Sequence, residues 1–270
     1  MLVICLAVFI YSAIQLFLIL RNYYVIDKLQ DDTVAEYVTN ETTTGSTSAN
    51  MRVMTPFAVN NTTVTNSTNT TEDDAVPDPG IDVDLAGLQK VNKDIKAWIY
   101  IPDTKINYPV LQGTDNAYYL THTHLKAYHV LGSIFMDYRN AADLTDSNTV
   151  IYGHNGKNMA MFGGLKKFQD QSYADARPYI YLIIADKTYV YKIFSAHVVK
   201  ATSATYTRTF SSTEQYQKWL DTEAKASYIT AAYAPTSDMY TLTLSTCTSV
   251  VKDDRFVLQG ALYATIERGE

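Results

Sequence analysis

Residues 2–20 form a predominantly apolar run without a single charged side chain. Coiled as a helix at 1.5 Å per residue, nineteen residues reach about 28 Å, close to the hydrocarbon thickness of a bilayer. A cleaved signal peptide would have a shorter apolar stretch followed by small residues. Here Arg21-Asn-Tyr-Tyr follows, which favours a retained single-pass anchor over residues 1–20. The flanking charges, Arg21 and Lys28 after the run and none before it, would by themselves put the following residues on the cytoplasmic side. That rule applies to short flanks, and large domains translocate regardless, so orientation stays open on the residues alone.

The next segment changes character twice. Residues 21–38 are compatible with a continuing helix, with Tyr24, Leu29, Val34 and Val38 scattered among charges. From 39 to 71, Ser, Thr and Asn fill 21 of 33 positions, leaving too little apolar surface to offset the entropy of ordering the chain. Acidic residues and Pro77 and Pro79 continue the polar character to residue 84. Residues 39–84 therefore read as a flexible stalk, and 21–84 as a juxtamembrane helix plus that stalk. Asn-X-Ser/Thr triplets begin at Asn40, Asn60, Asn61, Asn66 and Asn69. They fit glycosylation, but composition alone also produces them in such a tract.

From residue 85 to 270 the pattern is that of a folded domain. Leu85, Leu88, Val91, Ile95 and Trp98 have helical spacing, so 85–98 is expected to be a helix supporting the domain. Further helices are expected at 158–168 and near 213–226. Strand-like runs occur at 99–101, 106–111, 131–136, 148–152, 179–184, 188–200, 239–246 and 255–266. Many short strands with few helices predict a mainly β fold, a closed barrel of about eight strands decorated with helices.

A net charge of −6 with no basic cluster argues against nucleic acid as a partner. Of the two cysteines, Cys5 lies in the apolar run and Cys247 in the domain, so the two do not pair and Cys247 is free for chemistry. A lone cysteine is equally a small buried hydrophobe. What separates Cys247 is its setting. It ends the run Tyr240-Thr-Leu-Thr-Leu-Ser-Thr-Cys247; Arg255 opens the next run; and His154 follows the apolar Val150-Ile-Tyr-Gly. A thiol, an imidazole and a guanidinium at the ends of β segments suit cysteine-based acyl transfer. His154 as a turn residue and Arg255 as a surface ion-pair residue remain the plain readings. His122 and His124 alternate and would share a strand face, but no third ligand lies nearby, so they are taken as a solvated loop and no metal or cofactor is expected. His129 and His197 carry no chemical context in sequence.

Thr243-Leu-Ser-Thr-Cys247, Ile151-Tyr-Gly-His154 followed by Met161-Phe162, Gly132-Ser-Ile-Phe-Met-Asp137, Arg255, and Tyr108-Pro-Val-Leu-Gln-Gly-Thr-Asp-Asn116-Ala-Tyr-Tyr-Leu120 occur together and in order. In these motifs, over roughly 85–270 and with the N-terminal anchor, the chain resembles the class B sortases. The resemblance implies a membrane-anchored cysteine transpeptidase of a Gram-positive surface, with its catalytic domain outside the membrane. It cleaves a C-terminal sorting signal and joins the new carboxyl to an amine of a peptidoglycan precursor or a pilin. It implies Cys247 as nucleophile, His154 as general acid/base and Arg255 as electrostatic partner. It also implies that Asn116, Leu120, Tyr152, Tyr206 and Ser245 line the substrate groove, each with a plain packing alternative. In the family an N-terminal helical segment precedes the barrel; with 39–84 so polar, its supporting role falls here to 85–98.

Two other readings compete. A different Cys-His wall enzyme would be papain-like, with Cys before His, or an L,D-transpeptidase, with Ser-X-Gly-Cys; this chain has His154 first and Ser-Thr-Cys247. A non-catalytic surface-binding barrel would leave the thiol inert.

Overall fold

The computed structural model describes residues 2–40, 78–247 and 253–268; for Leu2, Val3 and Cys247 the backbone alone is described. Helix α1 (Leu2–Tyr37) is a single 36-residue helix. It contains a stretch long and apolar enough to cross a membrane, with none of that stretch buried by the rest of the chain. Its second half is different. Ile26 and Thr33 are buried, and Asn22, Tyr23, Leu29, Gln30, Val34 and Tyr37 are partly covered. These positions recur every three or four residues, so one stripe of the helix packs while the charged faces stay wet.

Strand β1 (Val38–Asn40) follows directly and pairs antiparallel with β2 (Ile81–Val83), Val38 opposite Val83. The two ends of the polar tract are thus paired; the body of the expected stalk, 41–77, lies outside the described residues. Helix α2 (Leu85–Val91) is capped by Asp84, whose carboxylate accepts the Gly87 N–H at 2.7 Å. Such a cap contributes about 1 kcal/mol.

The helix expected to run to Trp98 stops at Val91. Asn92 turns the chain, its side-chain amide donating to the Tyr119 hydroxyl and the His124 carbonyl. Residues Ile95–Tyr100 form β3 instead, with Trp98 fully buried and its indole N–H bonded to Asn107 on the next strand. Spacing by three at 95 and 98 fits a helix and a bulged strand alike, and the ladder to the barrel decides it.

The barrel is closed by β3, β4 (Asn107–Leu111), β5 (Ile134–Met136), β6 (Asn148–Tyr152), β7 (Tyr179–Ile183), β8 (Lys187–Lys200), β9 (Thr241–Cys247) and β10 (Asp254–Glu267), in the order β10-β8-β7-β3-β4-β5-β6-β9. Closure leaves the barrel itself without a free sheet edge. Most ladders are antiparallel; β4–β5 and β6–β9 are parallel. Ile99, Val110, Ile134, Ile151, Leu182, Leu244 and Leu258 point inward and are fully shielded, each contributing roughly 1.5–3 kcal/mol of burial.

Two layers cover the barrel from outside. Leu85, Leu88, Trp98 and Phe135 form a second core with Val34, Tyr37 and Val38. The barrel's support is therefore shared by α1 and α2, and not left to 85–98 alone. Helix α4 (Thr213–Ala226) covers another face through Tyr216, Trp219 and Leu220, and is capped by Ser212, whose hydroxyl accepts the Gln215 N–H, while the Gln215 side chain accepts the Ser211 N–H. The helix expected at 158–168 is replaced by 3₁₀ turns at Lys157–Met159 and Leu165–Gln169, followed by the five-residue α3 (Gln171–Asp175). Gly163-Gly164 interrupts the helical pattern, and Asn158, Met159 and Met161 adopt positive φ.

Candidate active site

Three adjacent strands bring the chemistry-bearing residues to one rim. Tyr152, the last residue of β6, lies opposite Ser245 on β9. The Gly153 N–H extends that parallel contact by donating to the Ser245 carbonyl at 3.1 Å. His154 and Cys247 each lie two residues beyond this pair on neighbouring strands, which run about 4.8 Å apart. On the other side of β9, Cys247 pairs with Arg255 of β10.

A groove of about 420 Å³ opens at this rim. It is lined by Asn116, Leu120, Tyr152, His154, Tyr206, Ser245 and Arg255 from among the sequence candidates, and by Phe135, Gly153, Ala201 and Thr246. Seven of the eight candidates thus share one cavity, although they lie as much as 139 positions apart in the chain. The eighth, Cys247, is at the end of β9 beside them as backbone.

His154 sits with Nε2 2.8 Å from the carbonyl oxygen of Leu120, half-exposed to the groove. A carbonyl only accepts, so this contact holds the neutral ring as the Nε2–H tautomer and leaves Nδ1 with its lone pair. The loop that carries the ring is tightly closed: Phe162 N–H donates to the His154 carbonyl at 2.9 Å. Gly153 has no room for a side chain, since a Cβ would stand 2.4 Å from Ile134 Cδ1 and 2.8 Å from the Phe162 ring. Arg255 faces the same groove and donates from Nη1 to the Asp254 carbonyl at 3.1 Å.

The groove wall is aromatic. The Tyr152 ring lies between Phe135 (5.5 Å between centroids) and Tyr206 (6.2 Å). Tyr206 comes from a 3₁₀ turn, Ala204–Tyr206, after β8, and its hydroxyl reaches Ser245 at 2.9 Å. Beneath this wall lies a buried carboxylate, Asp137. It accepts the Tyr152 hydroxyl at 3.0 Å and two bonds from the Arg139 guanidinium at 2.9 and 2.7 Å, and the Asn116 side chain also bonds it. Burial pushes the Asp137 carboxyl up, but Arg139 and the other donors outweigh it and hold the pKa near 2. The Tyr152 phenol is raised, first by burial and then by that carboxylate, so it stays a donor.

Sequence reasoning named Asp137 only as part of a motif. The signal was present, because a carboxylate directly after the apolar Ile134-Phe-Met must be paired if the strand is buried. His122 and His124 do not form the solvated loop expected of them. His122 stacks on Tyr118 at 4.0 Å, and His124 is buried against α1 with Nε2 3.3 Å from the Thr33 hydroxyl; burial lowers its pKa. Among the described residues no group of three His, Cys, Asp or Glu side chains is arranged to hold a metal ion.

The family model of the sortase domain matches residues 99–263, which takes in His154, Cys247, Arg255 and the groove-lining residues. The chain belongs to the sortase family. Sortase B of Listeria monocytogenes serovar 1/2a is 38% identical over 183 residues, covering 66% of this chain and 74% of that protein. Among solved structures, the Staphylococcus aureus sortase B–substrate complex superposes with a TM-score of 0.64 at 31% identity, covering 67% of this chain and 84% of that one. Clostridium perfringens sortase B gives 0.63 at 32% identity, covering 66% and 98%. These relatives identify a class B sortase, a cysteine transpeptidase of the cell-wall sorting type acting on sorting-signal substrates. The competing readings, another Cys-His wall enzyme or an inert barrel, are set aside by this membership.

Proposed function

We propose that Cys247 is the sortase nucleophile, His154 its general acid/base, and Arg255 the donor that stabilises charge on the substrate. The observation that carries this reading is the register: Cys247 pairs with Arg255, and His154 follows the β6 strand that pairs with β9 two residues before the cysteine. The thiolate adds to the scissile carbonyl, and the C–N bond breaks as the leaving amine takes a proton from the His154 imidazolium. The product is a thioester on Cys247. An incoming amine, deprotonated by His154, then attacks the thioester carbonyl, the C–S bond breaks and the thiolate returns. Water in place of the amine gives hydrolysis as a side reaction. Arg255 is cationic throughout and suits the developing oxyanion or the peptide carbonyls beside it.

Asn116, Leu120, Tyr152, Tyr206 and Ser245 would bind the extended sorting signal along the aromatic wall. The substrates would be surface proteins carrying a C-terminal sorting signal, and the acceptor an amine of a peptidoglycan precursor or a pilin. Residues 1–20 would anchor the chain as a single pass, with 21–84 leading to a catalytic domain over 85–270 on the outer side. The unburied apolar half of α1 supports the anchor.

The test is mass spectrometry of the full chain in detergent with a panel of sorting peptides and amines. The parent should accumulate a thioester adduct on Cys247 that an added amine discharges. Cys247→Ala should fold normally and form none; a variant that retains turnover would end this reading.

A further inference from the structure

The apolar run ends at Leu20, and side-chain burial on α1 begins two residues later, at Asn22. No linker separates the spanning half of the helix from the half that grips the barrel. The Asn22 carbonyl lies 3.0 Å from His129 Nε2, and the Tyr23 hydroxyl accepts the Lys157 N–H at 3.2 Å. Asn22 and Tyr23 stand only about 3–5 Å along the axis beyond the end of the run. The headgroup layer on each side of the hydrocarbon core is about 5–8 Å thick. The segments touching Asn22 and Tyr23 therefore sit within it if 2–20 spans the bilayer.

Both segments expose apolar side chains. Val130, next to His129, is 46% exposed, and Met159, in the turn with Lys157, is 37% exposed. Tyr24 and Val25 on the adjoining helix face are exposed too. Arg21 and Lys157 add positive charge at the same level. Apolar and aromatic side chains interleaved with cations are what a lipid interface accepts. The hairpin 121–131 then climbs away from this level along α1, since His124 meets Thr33, about 16 Å further up the axis than Asn22.

We propose that the barrel docks on an anionic lipid surface through Val130 and the Lys157–Met159 turn, which places the His154 end of the groove at the bilayer. The inference rests on the anchor reading of residues 2–20. His154 is the link between docking and chemistry. Its ring is held by the Leu120 carbonyl, and Leu120 sits one residue before Thr121, whose carbonyl accepts the His129 N–H. Its loop continues directly into the Lys157 turn. A substrate that emerges from the membrane would meet the groove at this end without crossing open solvent.

The experiment places single tryptophans by Val130→Trp, Met159→Trp and, as control, Val91→Trp. Val91 is exposed at the end of α2, and the neighbouring Asn92 bonds the His124 carbonyl, so it stands at the level of Thr33. Each full-length variant is reconstituted into phosphatidylcholine–phosphatidylglycerol vesicles whose acyl chains are brominated close to the headgroup. Fluorescence is read against the parent, which carries Trp98 and Trp219. Val130→Trp and Met159→Trp should lose their added fluorescence and Val91→Trp should keep it, with all three retaining turnover of a soluble sorting peptide. Chains that float with the vesicles while positions 130 and 159 stay unquenched overturn the docking alone, as does equal quenching at all three sites. Chains that do not float overturn the anchor reading and the docking with it.

Discussion

The hydroxyl groups of Tyr206 and Ser245 lie 2.9 Å apart across the groove, joining the turn after β8 to the strand that ends in Cys247. The contact fixes the distance between the Ala204–Tyr206 turn and β9, two residues before Cys247, the proposed nucleophile. A net hydrogen bond is worth about 0.5–1.5 kcal/mol, or roughly two- to tenfold in an equilibrium. Tyr206→Phe and Ser245→Ala should each raise KM for a sorting peptide by about that factor with kcat little changed. The double variant should be no worse than the poorer single one. Steady-state kinetics of the three variants checks this, and additive losses would show that the two residues act separately.

The strand ends carrying His154, Cys247 and Arg255 were legible because each of these residues closes or opens a strand-like run. The groove-lining residues were legible only through the resemblance, since one tyrosine among 22 has nothing local to distinguish it. Two features stayed hidden for physical reasons. The packed stripe of α1 mixes Asn22, Tyr23, Gln30 and Thr33 with Ile26, Leu29, Val34 and Tyr37, among charges, so its amphipathic pattern is weak. Its partner, the hairpin 121–131, carries the alternating His122 and His124, which read as a solvated loop because nothing local marks them for burial. Ile95 and Trp98 satisfied a helical spacing that the barrel ladder overrode.

Gly132 illustrates a sequence motif whose reason appears only in three dimensions. It adopts φ +49, and a Cβ there would stand 2.1 Å from the Tyr119 carbonyl and 2.6 Å from that of Leu120. Both carbonyls are backbone and cannot step aside. Gly132→Ala should therefore cost more than the ordinary ~1 kcal/mol of an unfavourable φ, and it should displace the Leu120 carbonyl that holds His154. Thermal melting should show the loss of stability. Turnover measured well below the new Tm should fall through kcat.

Asp137 sets a stability that depends on pH. Its carboxyl titrates near 2 when folded, against about 3.9 in an unfolded chain, so the native state binds the proton less well. The stabilisation is present above about pH 4 and is lost as pH falls towards 2; a two-unit shift corresponds to about 2–3 kcal/mol. Asp137→Asn should be less stable than the parent by about this amount at pH 7, and the gap should close between pH 4 and 2. Urea unfolding of both proteins at a series of pH values measures it, and a pH-independent gap would rule out the charged network as its source.

Glu223 holds the Ala204–Tyr206 turn from inside. It is buried on α4, with Oε1 accepting the Thr205 hydroxyl at 3.0 Å and Oε2 3.3 Å from His197 Nε2; the Ser195 hydroxyl lies 2.9 Å from His197 Nδ1. The same turn is pinned by the Trp219 indole on the Ala204 carbonyl and by Asn148 on those of Thr205 and Thr207. Glu223→Ala removes the acceptor of the Thr205 hydroxyl, leaving it only Ser203 Oγ at 2.9 Å, and leaves His197 Nε2 without its carboxylate in a dry interior while Nδ1 keeps Ser195, at a cost of about 1–3 kcal/mol for a buried polar group that loses its partner. The turn carrying Tyr206 should loosen, so Tm should drop by several degrees and KM for the sorting peptide should rise. Glu223→Gln keeps an acceptor for Thr205 while giving up the charge beside His197. It should restore most of the KM and less of the Tm, a split that a purely structural role for Glu223 would not produce.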